Sequence, residues 1–165
     1  MQAIQQPLKR NIALQPLSRE HHEALLFVWK VKQGIDKGIL PARIANYCSW
    51  FWDTHMQSHM AQEEATLTKV LSPDHHLMNN MIEDHAAIKT KVEQVLDDPS
   101  YDLIKRFAEI IYYHVRFEER DLFPAIERNA SYNQLSQISL ELENHETHSD
   151  WPDAFWLNTG GSNAA

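Results

Sequence analysis

Glycine is scarce in this chain. Of 165 residues only four are Gly, and two of these form the Gly160-Gly161 pair in the C-terminal tail. So few positions free to take φ > 0 disfavour a fold of tight turns and sheets and favour long helices. Cysteine is scarcer still: Cys48 stands alone, so no internal disulfide can form. That suits a reducing compartment, and the cytoplasm is the expected location. A single thiol also disfavours finger-type zinc sites and iron–sulfur clusters. A basic surplus is missing, since 15 Lys and Arg against 23 Asp and Glu leave a formal net charge of −8. Without a positive footprint, neither nucleic acid nor an anionic membrane is an expected partner. No apolar run approaches the roughly 20 residues that span a bilayer. Met1 to Gln15 also lack the apolar stretch of a secretion signal.

What remains is an ordinary globular composition, 43% hydrophobic and 23% charged, with 10 His as its one excess. The length fits one domain with a sizeable core. Residues 1–16 carry Pro7 and Pro16 and read as an extended arm, with residues 1–13 as the N-terminal arm ahead of the bundle. Ser18 is a plausible cap for a first helix to about Gln33, with Leu25, Val28, Trp29 and Lys32 at helical spacing, broken by Gly34 and Gly38. Pro41 suits the first turn of a second helix whose stripe reads Ile44, Cys48, Phe51 or Trp52, His55, His59, Glu63, Leu67 and Val70, ending near Leu71. Ser72-Pro73-Asp74 stops it and starts a third, with Met78, Met81, Ile82, His85, Ile88, Val92 and Val95 inward. Asp97-Asp98-Pro99-Ser100 leads into a fourth, with Leu103, Phe107, Ile110, Ile111, His114, Phe117, Glu118, Leu122 and Ile126. Residues 131–165 hold a short fifth helix near Gln134 to Asn144, then a tail. Trp151, Phe155 and Trp156 are too apolar for water and should dock back; residues 159–165 read as disordered. Residues 14–130 are therefore expected to form an all-α, antiparallel up-down-up-down four-helix bundle, with a short extra C-terminal helix and a docked tail.

The chemistry lies in a repeat. His59-x-x-x-Glu63-Glu64-x-x-Leu67 and His114-x-x-x-Glu118-Glu119-x-x-Leu122 match at every one of these offsets. A residue and the one four later are about 40° apart around a helix and about 6 Å apart along it, so each His–Glu pair shares a face with the apolar stripe. A second element also doubles: Leu17 and Met81 each stand four residues before a His, His21 and His85, which follows an acid, Glu20 or Asp84. Single His, His with Glu, single His, His with Glu is a helical hairpin written twice. One His on an apolar face is commonly a hydrogen-bonded core residue. Two matching His–Glu pairs in apolar stripes are harder to explain so, because each buried polar group without a partner costs several kcal/mol.

His21, His59, His85 and His114 with Glu63 and Glu118 make a mixed nitrogen and oxygen set suited to iron, manganese or zinc. Two carboxylates can bridge two metals while imidazoles cap each ion, with open positions left for a small ligand. His22 competes with His21: the phase of Leu25 and Trp29 favours His22, the parallel between Leu17–His21 and Met81–His85 favours His21. His55, one turn before His59, reads as a hydrogen-bonded core residue, a support for a ligand or an extra ligand. His75 and His76 belong to a helix start about 15 Å from His85. His145 and His148 read as solvent-facing, Glu64 and Glu119 as salt-bridge or surface residues, Glu20 and Asp84 as first-turn or exposed charges.

Glu20-His21, His59-x-x-x-Glu63-Glu64, Asp84-His85 and His114-x-x-x-Glu118-Glu119-x-x-Leu122-Phe123-Pro124 together resemble the hemerythrin-like, or HHE cation-binding, domain family. The resemblance covers roughly residues 14 to 130. It implies an antiparallel four-helix bundle carrying two non-haem iron ions in an Fe–O–Fe type centre, other divalent metals being possible, with a diatomic ligand, O2 or NO. It implies a protein that senses or handles O2, NO or iron, the alternative being a di-iron oxidoreductase with peroxidase or NO-reducing activity. A metal-binding protein is expected ahead of a dedicated enzyme, and no protein partner is indicated. Oxygen-carrying members use a second His one turn after the first on the third helix and an Asp five after the His on the fourth. Lys89 and Glu119 stand there instead. A dedicated reversible O2 carrier is thus less expected, unless His22 or His55 fills the gap.

Overall fold

The computed structural model describes residues 9–143 and 150–157. His145, His148 and the expected disordered stretch 159–165 fall outside them. All regular elements among the described residues are helical. A 3-10 turn, Ile12–Leu14, leads into α1, Gln15–Asp36. α2 runs from Pro41–Phe51 through a π segment, Trp52–Met56, into Gln57–Leu67. α3 is His76–Asp97. α4 runs from Tyr101–Phe117 through a second π segment, Glu118–Leu122, into Phe123–Asn129. α5, Tyr132–Leu142, and a 3-10 turn, Phe155–Leu157, follow.

Local chemistry explains most boundaries. Asn11 Oδ1 accepts from the Ala13 N–H and Pro16 occupies the first turn of α1, so the helix starts before Ser18, which is no cap. The Ser18 hydroxyl instead donates to Glu119 Oε1 at 2.7 Å. Gly38, at φ +68°, supplies the left-handed residue that ends this region. Gly34 does not break α1. It is buried inside the helix, where a Cβ would stand 2.7 Å from Phe155 Cε2 and 3.1 Å from Ile44 Cδ1. His75 caps α3, its Nδ1 accepting from the Leu77 N–H at 3.3 Å. Ser100 caps α4, its Oγ accepting from Leu103 N–H. Ser131 and Gln134 form a reciprocal capping box on α5.

α1 presents Leu17, His21, Ala24, Phe27 and Val31 inward, not the expected stripe of Leu25, Val28, Trp29 and Lys32. Residues 24–29 are apolar all round, so spacing alone could not define the buried face, and Trp29 is left 47% exposed. In α2 the π segment inserts a wider turn between Phe51 and Met56. Met56 is thereby buried, while His55 is half-buried with its ring stacked on Phe51. The second π segment ends just before Pro124, which has no N–H to give to a regular i→i−4 ladder.

α1 packs along α4, and α4 along α3. Two apolar clusters form the core. One gathers Ala24, Phe27, Ile44, Phe51, Met60, Ile88, Phe107, Ile111 and Val115; the other gathers Leu14, Leu17, Leu67, Met78, Met81, Leu122, Phe123 and Ile126. α1 and α3 pass from the second cluster to the first as the residue number rises, and α2 and α4 pass from the first to the second. A polar band separates the two. The aromatic tail docks as expected: Phe155 is buried, Trp151 and Trp156 pack on Tyr47, and Asp153 accepts two bonds from Arg43.

Candidate metal centre

The polar band consists of His21 from α1, His59 and Glu63 from α2, His85 from α3, and His114 and Glu118 from α4. All six are buried, Glu63 and Glu118 completely. Helical spacing puts each in line with apolar neighbours, so burial of the stripe carries the polar side chain inward with it. The donors fall into two overlapping groups: His21, His59, Glu63 and Glu118 form one, Glu63, His85, His114 and Glu118 the other. Within each group the donor atoms all lie within 4.8 Å of one another. Both carboxylates belong to both groups.

All four imidazoles turn Nε2 toward these carboxylates. His21 Nε2 lies 2.9 Å from Glu118 Oε2 and 3.3 Å from Glu63 Oε1, and His59 Nε2 3.1 Å from Glu63 Oε1. His85 Nε2 lies 3.3 Å from Glu63 Oε2, and His114 Nε2 3.2 Å from Glu118 Oε2. Yet both oxygens of Glu63, both of Glu118, and Nε2 of His21, His85 and His114 have no hydrogen-bond partner. Lone pairs that converge in a dry volume without a shared proton leave a large desolvation cost uncompensated. A cation at the convergence point would remove it. The residues present therefore fit a metal ion.

The electrostatics point the same way. Burial pushes His59 down, but Glu63 and Glu20 more than reverse this and hold its pKa at about 9. Burial likewise opposes charge on His85, and Glu118 and Glu63 raise it to about 10. His21 also stands well above its ordinary value: burial opposes its charge, but the nearby carboxylates of Glu118, Glu119 and Glu63 outweigh it. Burial pushes Glu63 and Glu118 up, and the surrounding imidazoles draw both below the usual carboxylate range. The cluster attracts positive charge and, without a metal, gathers it as protons.

The hemerythrin HHE cation binding domain model matches residues 13–126, more than half of the chain. The chain belongs to this family. No curated protein and no solved structure matches it. Hemerythrin-like membership and the His/Glu groups together make this a metal-binding helical protein.

The six residues singled out in the sequence are the six that converge. His22 is exposed on α1, and His55 contributes no donor to either group. Lys89 is exposed. Four acids take a role beyond the salt-bridge and surface ones expected, which Glu119 also fills in its pair with Arg10 and Glu64 and Asp84 in their partial exposure. Glu119 Oε1 accepts from His21 Nδ1 at 2.7 Å, Glu20 Oε2 from His59 Nδ1 at 2.6 Å, Glu64 Oε1 from His85 Nδ1 at 2.7 Å, and Asp84 Oδ2 lies 3.3 Å from His114 Nδ1. They are not merely surface charges: each backs an inward-facing His. The signal was present in the doublets Glu20-His21, Glu63-Glu64, Asp84-His85 and Glu118-Glu119, but which neighbour each acid faces depends on how the helices pack.

Glu119 is the most heavily held of the four. Ser18 and His21 donate to it, and Arg10 Nη2 donates to its Oε2 at 2.9 Å and its backbone oxygen at 2.8 Å. Burial pushes Glu119 up, but these partners bring its pKa to about 2. Arg10 also bonds Glu127 and lies over the Phe123 ring, which stacks on His21. Arg10 and Asn11 are thus fastened to the outside of the site.

Proposed function

We propose that the protein holds two non-haem iron ions, one among His21, His59, Glu63 and Glu118 and one among His85, His114, Glu63 and Glu118, and uses them to sense or handle O2, NO or iron. The observation that carries this reading is the sharing of two bare, fully buried carboxylates between two His pairs. Glu63 and Glu118 each have two oxygens, enough to offer one to each ion. Two imidazole nitrogens and oxygens of both carboxylates would hold an ion at each position. When bound, such a metal pair supplies a Lewis-acidic, redox-active place for a diatomic ligand. The chain orients the imidazoles from behind and excludes water with the apolar clusters on either side. The order in which α1 to α4 pass those clusters supports an antiparallel up-down-up-down bundle over residues 14–130. No helix among the described residues is long and apolar enough to cross a membrane. The lone, buried Cys48 supports a cytoplasmic setting.

Anaerobic metal analysis, followed by an optical spectrum on exposure to O2 or NO, tests the proposal. Two irons per chain and a spectrum that changes with the gas are expected, and His59→Ala and His114→Ala should each lower the iron content. A chain that takes up no stoichiometric metal would overturn the reading. Turnover of peroxide or NO by the iron-loaded protein would shift it to a di-iron oxidoreductase.

A further inference from the structure

We propose that Glu20, Glu64, Asp84 and Glu119 are positioning residues forming one closed circuit through the bundle, each helix supplying the acid that fixes the next helix's histidine. The inference rests on the metal-binding reading above. Glu20 on α1 holds His59 on α2; Glu64 on α2 holds His85 on α3; Asp84 on α3 faces His114 on α4; and Glu119 on α4 holds His21 on α1. Each of these four contacts runs between two different helices. The circuit closes after four steps, and every histidine of the centre belongs to it.

The sequence pattern that produces the circuit follows from helix geometry. Adjacent residues on a helix point about 100° apart, so an acid beside an inward residue looks sideways toward a neighbouring helix. On α1 and α3 the acid precedes the inward His. On α2 and α4 it follows the inward Glu. Since α1 and α3 cross the site in one direction and α2 and α4 in the other, one step back on the first pair and one step forward on the second turn the same way around the bundle. Each acid therefore faces the next helix in a single rotational sense. Placing the acid on the other side of its partner would aim it at the preceding helix.

The chemical consequence concerns the tautomer. A carboxylate accepting from Nδ1–H places that proton on the outer nitrogen, leaving the Nε2 lone pair for the centre, and raises the basicity of that nitrogen. It also fixes the ring rotation that a lone imidazole would otherwise have to lose on binding. Because every strap crosses between two helices, the four Nε2 atoms keep their relative places before any cation arrives.

Glu64 and Asp84 are the members to test, because their side chains are 45% and 39% exposed and their loss should leave the fold intact. The variants are Glu64→Ala, Glu64→Gln, Asp84→Ala and Asp84→Asn. In the metal-free protein, proton NMR should show downfield imidazole N–H signals for the strapped rings, and each alanine variant should lose the signal of its own partner alone, His85 or His114. Zinc and ferrous iron affinities, measured by chelator competition, should fall about 10–100-fold in the alanine variants. They should fall less in the amides, which keep an acceptor oxygen, with the metal-free melting temperature unchanged throughout. A merely structural role would lower that temperature without the graded loss of affinity, and would overturn the inference. Wild-type protein that binds two ions while the alanine variants bind as tightly would overturn the circuit and leave the metal centre standing. Wild-type protein that binds none would overturn both.

Discussion

Raising the pH should destabilise the metal-free protein and leave the metal-loaded protein almost untouched. In the folded, metal-free chain His59 keeps its proton to a pH of about 9, against an ordinary value of 6.5. A group whose folded pKa is raised contributes its full stability below the unfolded value and loses it as pH climbs to the folded one. At about 1.4 kcal/mol per unit, His59 alone accounts for about 3 kcal/mol, lost progressively through this window. His85, held at about 10, extends the loss to higher pH. For a chain of this size each kcal/mol corresponds to about 2–4 °C, so His59 alone predicts a fall in Tm of about 6–12 °C. Glu63 and Glu118 act at the other end. Their lowered values contribute stability above the ordinary 4.5 that disappears as pH drops through the folded ones. The metal-free protein should therefore be most stable between these windows. A cation in the cluster replaces the protons, removes the alkaline loss and adds mass-action stabilisation, about 2.7 kcal/mol at a free metal concentration a hundredfold above Kd. Thermal melts across pH, with and without metal after chelation, read both curves. A metal-free Tm that stays flat or rises between neutrality and a pH of about 10 would refute the argument that buried carboxylates hold these imidazoles protonated.

Two further outcomes follow from the packing. Gly34→Ala places a methyl group 2.7 Å from Phe155 Cε2, and the overlap should exceed the helix-propensity gain of about 1 kcal/mol, giving a net loss of about 1–2 kcal/mol; a melting curve as stable as wild type would show that Phe155 is not seated there. Cys48 is completely buried and burial pushes its thiol up, so a maleimide should fail to label the native protein and label it fully in denaturant; rapid native labelling would contradict that burial.

The sequence by itself determined which polar side chains are carried into the core. Four imidazoles and two carboxylates could be picked out because each interrupts an apolar stripe at helical spacing, and a stripe must be buried whatever it packs against. The fifth helix and the docking of Trp151, Phe155 and Trp156 were legible for the same reason. The buried face of α1 was not, because residues 24–29 are apolar around the whole circumference and periodicity vanishes when every side is greasy. That ambiguity set His21 against His22, and only packing turned His21 inward. Nor did spacing disclose the π turn that moves His55 off the line of His59, since a wider turn leaves no compositional mark. Gly34 looked like a stop and proved to be the seat of an aromatic ring from the far end of the chain. The outer acids show the division most clearly. Their places beside the inward residues are written in the sequence, but a side chain 100° from the core has no partner until a neighbouring helix arrives, and the direction of that neighbour is a property of the tertiary structure alone.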